Sequence, residues 1–280
     1  MLYNHNVQNV SFSVTNIRTG YIKQPDSERS TMRRLTILDV PFEVLRPEEI
    51  HPIIAEDEHD LILFDCGYPT FSKKLKDAAA EKNVDFDRLT KIVITHQDYD
   101  HMGALAELIE QYPNVQVIAS ELEAPYISGE KQFIRQHLYE KSKPDPNSRR
   151  FQRYHLIHEM YGALNPARVD LVMHDSERLP LVGGMRIIPT PGHMPGHISV
   201  YLEAFKTLVS GDAIVLRKDR LSYSDPSFSL DHEAAKGAVK AFLDLDIETI
   251  ACYHGGAYHS DTIRDELIAL SKEDEAAGTV

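Results

Sequence analysis

The sequence predicts an α/β fold built as one domain over residues 1–280. Two observations predict it: short apolar runs of strand length alternate with stretches of helical spacing, and no linker interrupts them. Candidate early strands are residues 11–17 and 34–44. Residues 60–64 (DLILF) form a nearly continuous apolar run ending at Asp65-Cys66-Gly67, the mark of a buried strand entering a tight loop. Residues 72–82 read as a helix, and 91–95 (KIVIT) as a β-branched, buried strand. Over 103–112 the apolar residues Leu105, Leu108 and Ile109 take helical spacing, and 115–119 is a further strand. After a polar insert the pattern resumes with strands at 185–188, 199–202 and 207–209, a helix at 231–243, a strand at 249–253 and a helix at 260–271. The tail, 272–280, is expected to fray.

Composition narrows the function classes. A hydrophobic content of 42% with 26% charged residues is that of an ordinary globular protein with a substantial core. The net charge of −13 argues against nucleic acid as the main partner, because that binding needs clustered positive charge. No apolar run reaches the roughly 18 to 20 residues that span a bilayer. The start, MLYNHNVQNVSFSV, lacks a basic segment followed by a long apolar one, so no signal peptide is expected. Two cysteines, Cys66 and Cys252, are too few for a disulfide framework, which fits a reducing compartment; a cytoplasmic location is expected. A small-molecule substrate is the expected partner, and a sheet edge or the insert could support a homodimer.

The insert, about 120–164, contains segments of helical pattern around the loop KSKPDPNSRR. From Lys131 to Arg153 it carries seven basic residues (Lys131, Arg135, Lys141, Lys143, Arg149, Arg150, Arg153) against the acidic Glu140 and Asp145. The plain reading is a solvated helical face and loop. The sharper one is a lid over a pocket, with Phe133, Leu138, Phe151, Tyr154, Leu156 and Met160 as apolar contacts, and Arg149, Arg150 or Arg153 pairing with a substrate anion.

The most informative segment is Thr95-His96-Gln97-Asp98-Tyr99-Asp100-His101-Met102-Gly103. Residues at i, i+2 and i+4 of an extended or turning segment can point one way, so His96, Asp98 and Asp100 can converge, with His101 at the start of the return. Imidazole and carboxylate suit Zn, Fe and Mn. The competing reading is a polar loop with a capping aspartate. Three later segments share the plan of a strand ending on a ligand type beside glycine: Pro191-Gly192-His193, Ser210-Gly211-Asp212 and Tyr253-His254-Gly255-Gly256. Chance would not readily repeat that plan at four strand ends, so a dinuclear metal site is expected.

With these motifs the chain resembles the metallo-β-lactamase superfamily from about residue 34 to residue 258. The resemblance implies a four-layer αββα sandwich with its site at one edge of the sheets. It also implies that His96, Asp98 and His193 hold one metal, that Asp100, His101 and His254 hold the other, and that Asp212 bridges them. Asp65 matches the family's first motif and would orient a ligand from behind. His197, four residues after His193, takes a supporting position rather than a ligand's. The departure is Asp98, where most members carry histidine. A carboxylate there makes the first site harder and less positive, shifting preference toward Mn or Fe, although Zn remains the first expectation.

The function expected is that of a metal-dependent hydrolase using two divalent transition-metal ions and a metal-bound hydroxide on a small ester, lactone or thioester. Asp100 is the expected catalytic residue, orienting the nucleophile and taking its proton. Lactonases of this family usually place tyrosine three residues after the bridging aspartate. Here that residue is Val215, and Tyr223 or Tyr258 would have to substitute. A metal-dependent phosphoesterase is the alternative. An iron-dependent redox enzyme of the same superfamily is third, since its flavodiiron members also place a carboxylate at the Asp98 position.

Overall fold

The computed structural model describes residues 32–43 and 47–272, apart from the side chains of Arg149, Arg150, Gln152 and Arg153. The candidate strand at 11–17 and all but the first residue of the tail lie outside the described residues. Along the chain come β1 (Arg34–Ile37), β2 (Val40–Glu43), β3 (Pro47–Ile50), β4 (Ile53–Glu56) and β5 (Leu61–Phe64), then α1 (Ser72–Glu81) and β6 (Lys91–Ile94). Next are α2 (Tyr99–Met102), α3 (Leu105–Gln111) and β7 (Gln116–Ser120). Three helices follow, α4 (Ala124–Ile127), α5 (Ile134–Lys141) and α6 (Arg149–Gly162). The second half contains β8 (Leu171–Met173), β9 (Arg178–Leu179), β10 (Met185–Pro189), β11 (Ile198–Leu202) and β12 (Thr207–Val209). It closes with the hairpin β13 (Val215–Arg217) and β14 (Arg220–Ser222), then α7 (His232–Ala238), β15 (Thr249–Cys252), β16 (Gly256–His259) and α8 (Ile263–Leu270).

Two six-stranded sheets result, ordered β1-β4-β5-β6-β7-β8 and β16-β15-β12-β11-β10-β9. From β5 to β8 the first sheet is parallel, and β5, a continuous apolar run, is buried on both faces. The side chains of β5 divide by parity. Leu61 and Leu63 pack in a cluster with Leu75 and Ala79 of α1 and Leu105 and Leu108 of α3. Ile62 and Phe64 pack instead with Ile187, Val200, Val209 and Ala251 of the second sheet. A third cluster joins Leu208 and Ile250 to Val239, Phe242, Ile263 and Leu267 on the far side of that sheet. Alternate residues of one strand therefore serve two different layers, and the four layers run helix, sheet, sheet, helix.

Two expectations change. The single strand at 34–44 is two, because Leu38 and Asp39 turn the chain out of the first sheet and β2 pairs with β3. The helix at 231–243 is α-helical only to Ala238, and 239–242 tightens into a 3-10 turn. The short strands β3, β4, β8, β9, β13, β14 and β16 are not legible in the sequence. Among the described residues no helix is long and apolar enough to cross a membrane.

Candidate metal centre

The ends of β5, β6, β10, β12 and β15 deliver the site. Just past β5, Asp65 adopts left-handed backbone (φ 56°) and is buried. Its Oδ1 accepts the Thr95 N–H at 2.8 Å, and its Oδ2 accepts the Thr95 hydroxyl at 2.8 Å and His101 Nδ1 at 2.9 Å. Because Thr95 Oγ1 donates to Asp65, it must accept from His96 Nδ1, 3.0 Å away. One carboxylate thereby sets both tautomers, leaving the Nε2 lone pairs of His96 and His101 facing inward.

The inward atoms converge. His193 Nε2 lies 3.0 Å from Asp98 Oδ2 and 3.3 Å from Asp212 Oδ2. His96 Nε2 lies 3.4 Å from the same Asp98 oxygen. On the other side His254 Nε2 lies 3.3 Å from Asp100 Oδ2 and 3.5 Å from Asp212 Oδ1. His101 Nε2 is 3.3 Å from Asp212 Oδ1 and 3.7 Å from Asp100 Oδ2. Ligand atoms within 4.8 Å of one another form the groups His96–Asp98–His193, His96–His101–Asp212 and Asp100–His101–His254. All seven residues named from the sequence are thus brought together, with one oxygen of Asp212 toward each side.

The donor set fits divalent metal ions. His96 Nε2, His101 Nε2 and Asp212 Oδ1 are buried without a hydrogen-bond partner, an arrangement costly enough to need an explanation. Four carboxylates (Asp65, Asp98, Asp100, Asp212) meet one guanidinium, Arg135, so with neutral imidazoles the site is strongly anionic. A buried anionic cluster of this kind is stabilised by cations.

His197 does not join the inward atoms. It accepts the Asp212 N–H on Nε2 at 2.9 Å and donates from Nδ1 to Thr190 Oγ1 at 2.7 Å. Burial, reinforced by the neighbouring imidazoles of His96 and His193, holds its pKa well below the usual range, so the ring is neutral. Gly211, with φ 52°, lets the chain pass against it: a Cβ there would stand 2.6 Å from His197 Nε2.

Sequence reasoning missed three residues here. Arg135 of α5 donates from Nε to Asp98 Oδ1 at 2.6 Å and from Nη2 to the Phe228 carbonyl at 2.6 Å. Tyr161 of α6 donates to the same Asp98 oxygen at 2.8 Å. Burial opposes charge on Asp98, but the Arg135 guanidinium together with the imidazoles of His193 and His96 outweighs it, and the carboxyl is held well below the usual carboxylate range. The third residue is Glu123, buried, which accepts Gln97 N–H and Nε2 (each 2.9 Å) and Gly196 N–H (3.0 Å), tying the His96 loop to the His193 turn. A surplus of basic residues in the insert was the available signal for Arg135. Nothing local marked Tyr161 or Glu123.

The two tyrosines considered as substitutes are engaged elsewhere. Tyr223 donates to the Leu270 carbonyl at 3.0 Å, and Tyr258 donates to Glu266. A cavity of about 730 Å³ opens over the site, and Tyr68, Tyr99 and Tyr139 are the tyrosines on its wall. Leu156 and Met160 of the insert line it too, whereas Phe133 is buried in the core and Leu138 is exposed. The side chains of Arg149, Arg150 and Arg153 lie outside those described.

The Metallo-beta-lactamase superfamily model matches residues 47–254. The chain is 25% identical over 229 residues to "Probable metallo-hydrolase YflN" of Bacillus subtilis, covering 78% of this chain and 84% of that protein. It is 26% identical over 194 residues to "Probable metallo-hydrolase YybB" of the same organism, covering 69% and 73%. Among solved structures it resembles the metallo-beta-lactamase family protein TTHA1429 from Thermus thermophilus. There the TM-score is 0.62 at 20% identity, covering 86% of this chain and 79% of that one, a likeness of fold.

Proposed function

Because this chain belongs to the metallo-beta-lactamase superfamily, we propose that it is a hydrolase that opens a small ester, lactone or thioester at two divalent transition-metal ions. The observation that carries the reading is Asp212, whose two oxygens face the His193 side and the His101–His254 side of one buried cluster. His96, Asp98 and His193 would hold one ion, Asp100, His101 and His254 the other, with Asp212 between. Ions held there would supply an attacking water acidic enough to lose its proton near neutrality, and positive charge for a developing oxyanion. Zn is the first choice, with Mn or Fe competing.

The chain's own residues do the rest. Asp65 fixes His96 and His101 so that their Nε2 atoms face the cluster. Asp100 keeps Oδ2 3.3 Å from His254 at the cavity floor, where it would orient the nucleophile and take up its proton. The walls offer Leu156, Ile157, Met160, Val215 and Phe228 to a carbon skeleton. A second recess of about 410 Å³ shares Phe42, Tyr68, Leu156 and Met160 with the cavity and extends that apolar surface. Its size and lining favour a small substrate with an apolar chain.

Elemental analysis of protein purified without added metal tests the ions, and a substrate panel tests the chemistry. Acyl lactones, aryl esters, a glutathione thioester, a phosphodiester and a β-lactam would be assayed with Zn and with Mn. Turnover of the carbonyl substrates, weak on the β-lactam, is expected. Turnover of the phosphodiester alone would replace this reading with a phosphoesterase, and a chain that binds no metal and stays inactive after metal addition would end it.

A further inference from the structure

The insert does more than line the cavity, because it supplies two hydrogen bonds to one oxygen of Asp98. Asp98 Oδ1 accepts Arg135 Nε at 2.6 Å and the Tyr161 hydroxyl at 2.8 Å. With both lone pairs of Oδ1 occupied, only Oδ2 is left to face the cluster, 3.0 Å from His193 Nε2 and 3.4 Å from His96 Nε2. Arg135 is 8% exposed and Tyr161 2%. The other end of the guanidinium is fixed by the Phe228 carbonyl and lies 3.1 Å from His193 Nε2. A guanidinium so buried remains charged and needs an anion beside it. Asp98 is the carboxylate that forms an ion pair with it.

We infer that Asp98 and Arg135 act as one unit. The guanidinium cancels the charge of the carboxylate and fixes its orientation, so the pair offers the first ion one oxygen and the net charge of a neutral histidine. This rests on the reading that His96, Asp98 and His193 hold an ion. An unpaired aspartate would make that trio more anionic and favour Mn or Fe over Zn; paired with Arg135, it keeps the trio neutral enough for Zn. Arg135 is a positioning residue here, acting on the ion through Asp98. It follows that histidine cannot simply be put back at position 98, because the guanidinium would then stand unpaired beside a cation.

The test uses the full chain loaded with Zn, desalted, and challenged with a chelator, with bound metal counted by elemental analysis and folding followed by circular dichroism. Asp98→His is expected to lose the first ion about 10- to 100-fold more readily than the wild type and to melt at a lower temperature. Adding Arg135→Leu to it, or Arg135→Gln as a second form, is expected to restore retention toward the wild-type level. The inference is overturned if Asp98→His holds metal as the wild type does, or if the folded double variants lose it as the single one does. Failure of both double variants to fold would also overturn it, because Arg135 would then be needed by the fold. A wild-type chain that took up no ion would defeat the metal reading itself, a result distinct from those three.

Discussion

His197 sits four residues past a ligand type and yet spends both ring nitrogens on Thr190 and on the Asp212 backbone. Its task is to fix the turn that carries Asp212, so His197→Ala should lower metal affinity and turnover roughly 10- to 100-fold while leaving both measurable. Complete loss of metal in that variant, with His193→Ala still loaded, would exchange the two roles. Glu123 makes a different case, since burial pushes its carboxyl from 4.5 up to about 7 against the N–H donors of Gln97 and Gly196. A group bound more tightly to its proton in the folded state adds stability in full below about pH 4.5, and that contribution fades as pH rises through about 7. The wild type should therefore lose denaturant resistance across that window, and Glu123→Gln, which cannot ionise, should lose less. Parallel profiles for the two proteins would mean that Glu123 is ionised throughout.

At the scale of elements, the residues legible in the sequence were those that sit at the ends of buried strands. The apolar runs 60–64, 91–95, 207–209 and 249–253 read clearly because each strand is buried on both faces, and each ends on a ligand type. Short strands such as β3 (PEEI) and β9 (RL) carry no such run, and pairing with a neighbour decides them. The supports were illegible for a related reason. Arg135 and Tyr161 reach Asp98 across 37 and 63 residues of chain, through the packing of α5 and α6, and periodicity cannot express that. The turn after β12 can be tested by itself. Gly211→Ala forces an L side chain into left-handed backbone and into His197, and should cost about 1–3 kcal/mol of stability along with looser metal binding. Urea unfolding with a wild-type midpoint would show that the turn can yield without harm.

At the scale of the whole molecule, the proposed ligands come from both sheets: His96, Asp98, Asp100 and His101 follow β6 of the first, and His193, Asp212 and His254 follow β10, β12 and β15 of the second. Bound ions would join loops that otherwise meet across a cluster of like-charged carboxylates. The layers themselves do not depend on that join, since Ile62, Phe64 and Val93 already pack against Ile187, Val200 and Val209 between the sheets. Metal should therefore stabilise by mass action, favouring the folded state that binds it, without being required for folding as in a zinc finger. At ion concentrations about 100-fold above Kd the gain per site is roughly 2.7 kcal/mol. Chelation should lower the melting temperature by several degrees while far-ultraviolet circular dichroism at 25 °C stays native, and added Zn should restore the higher temperature. If chelated protein lost its secondary structure at 25 °C, the apolar layers would be too weak to hold the sheets together, and the metal centre would be part of the core.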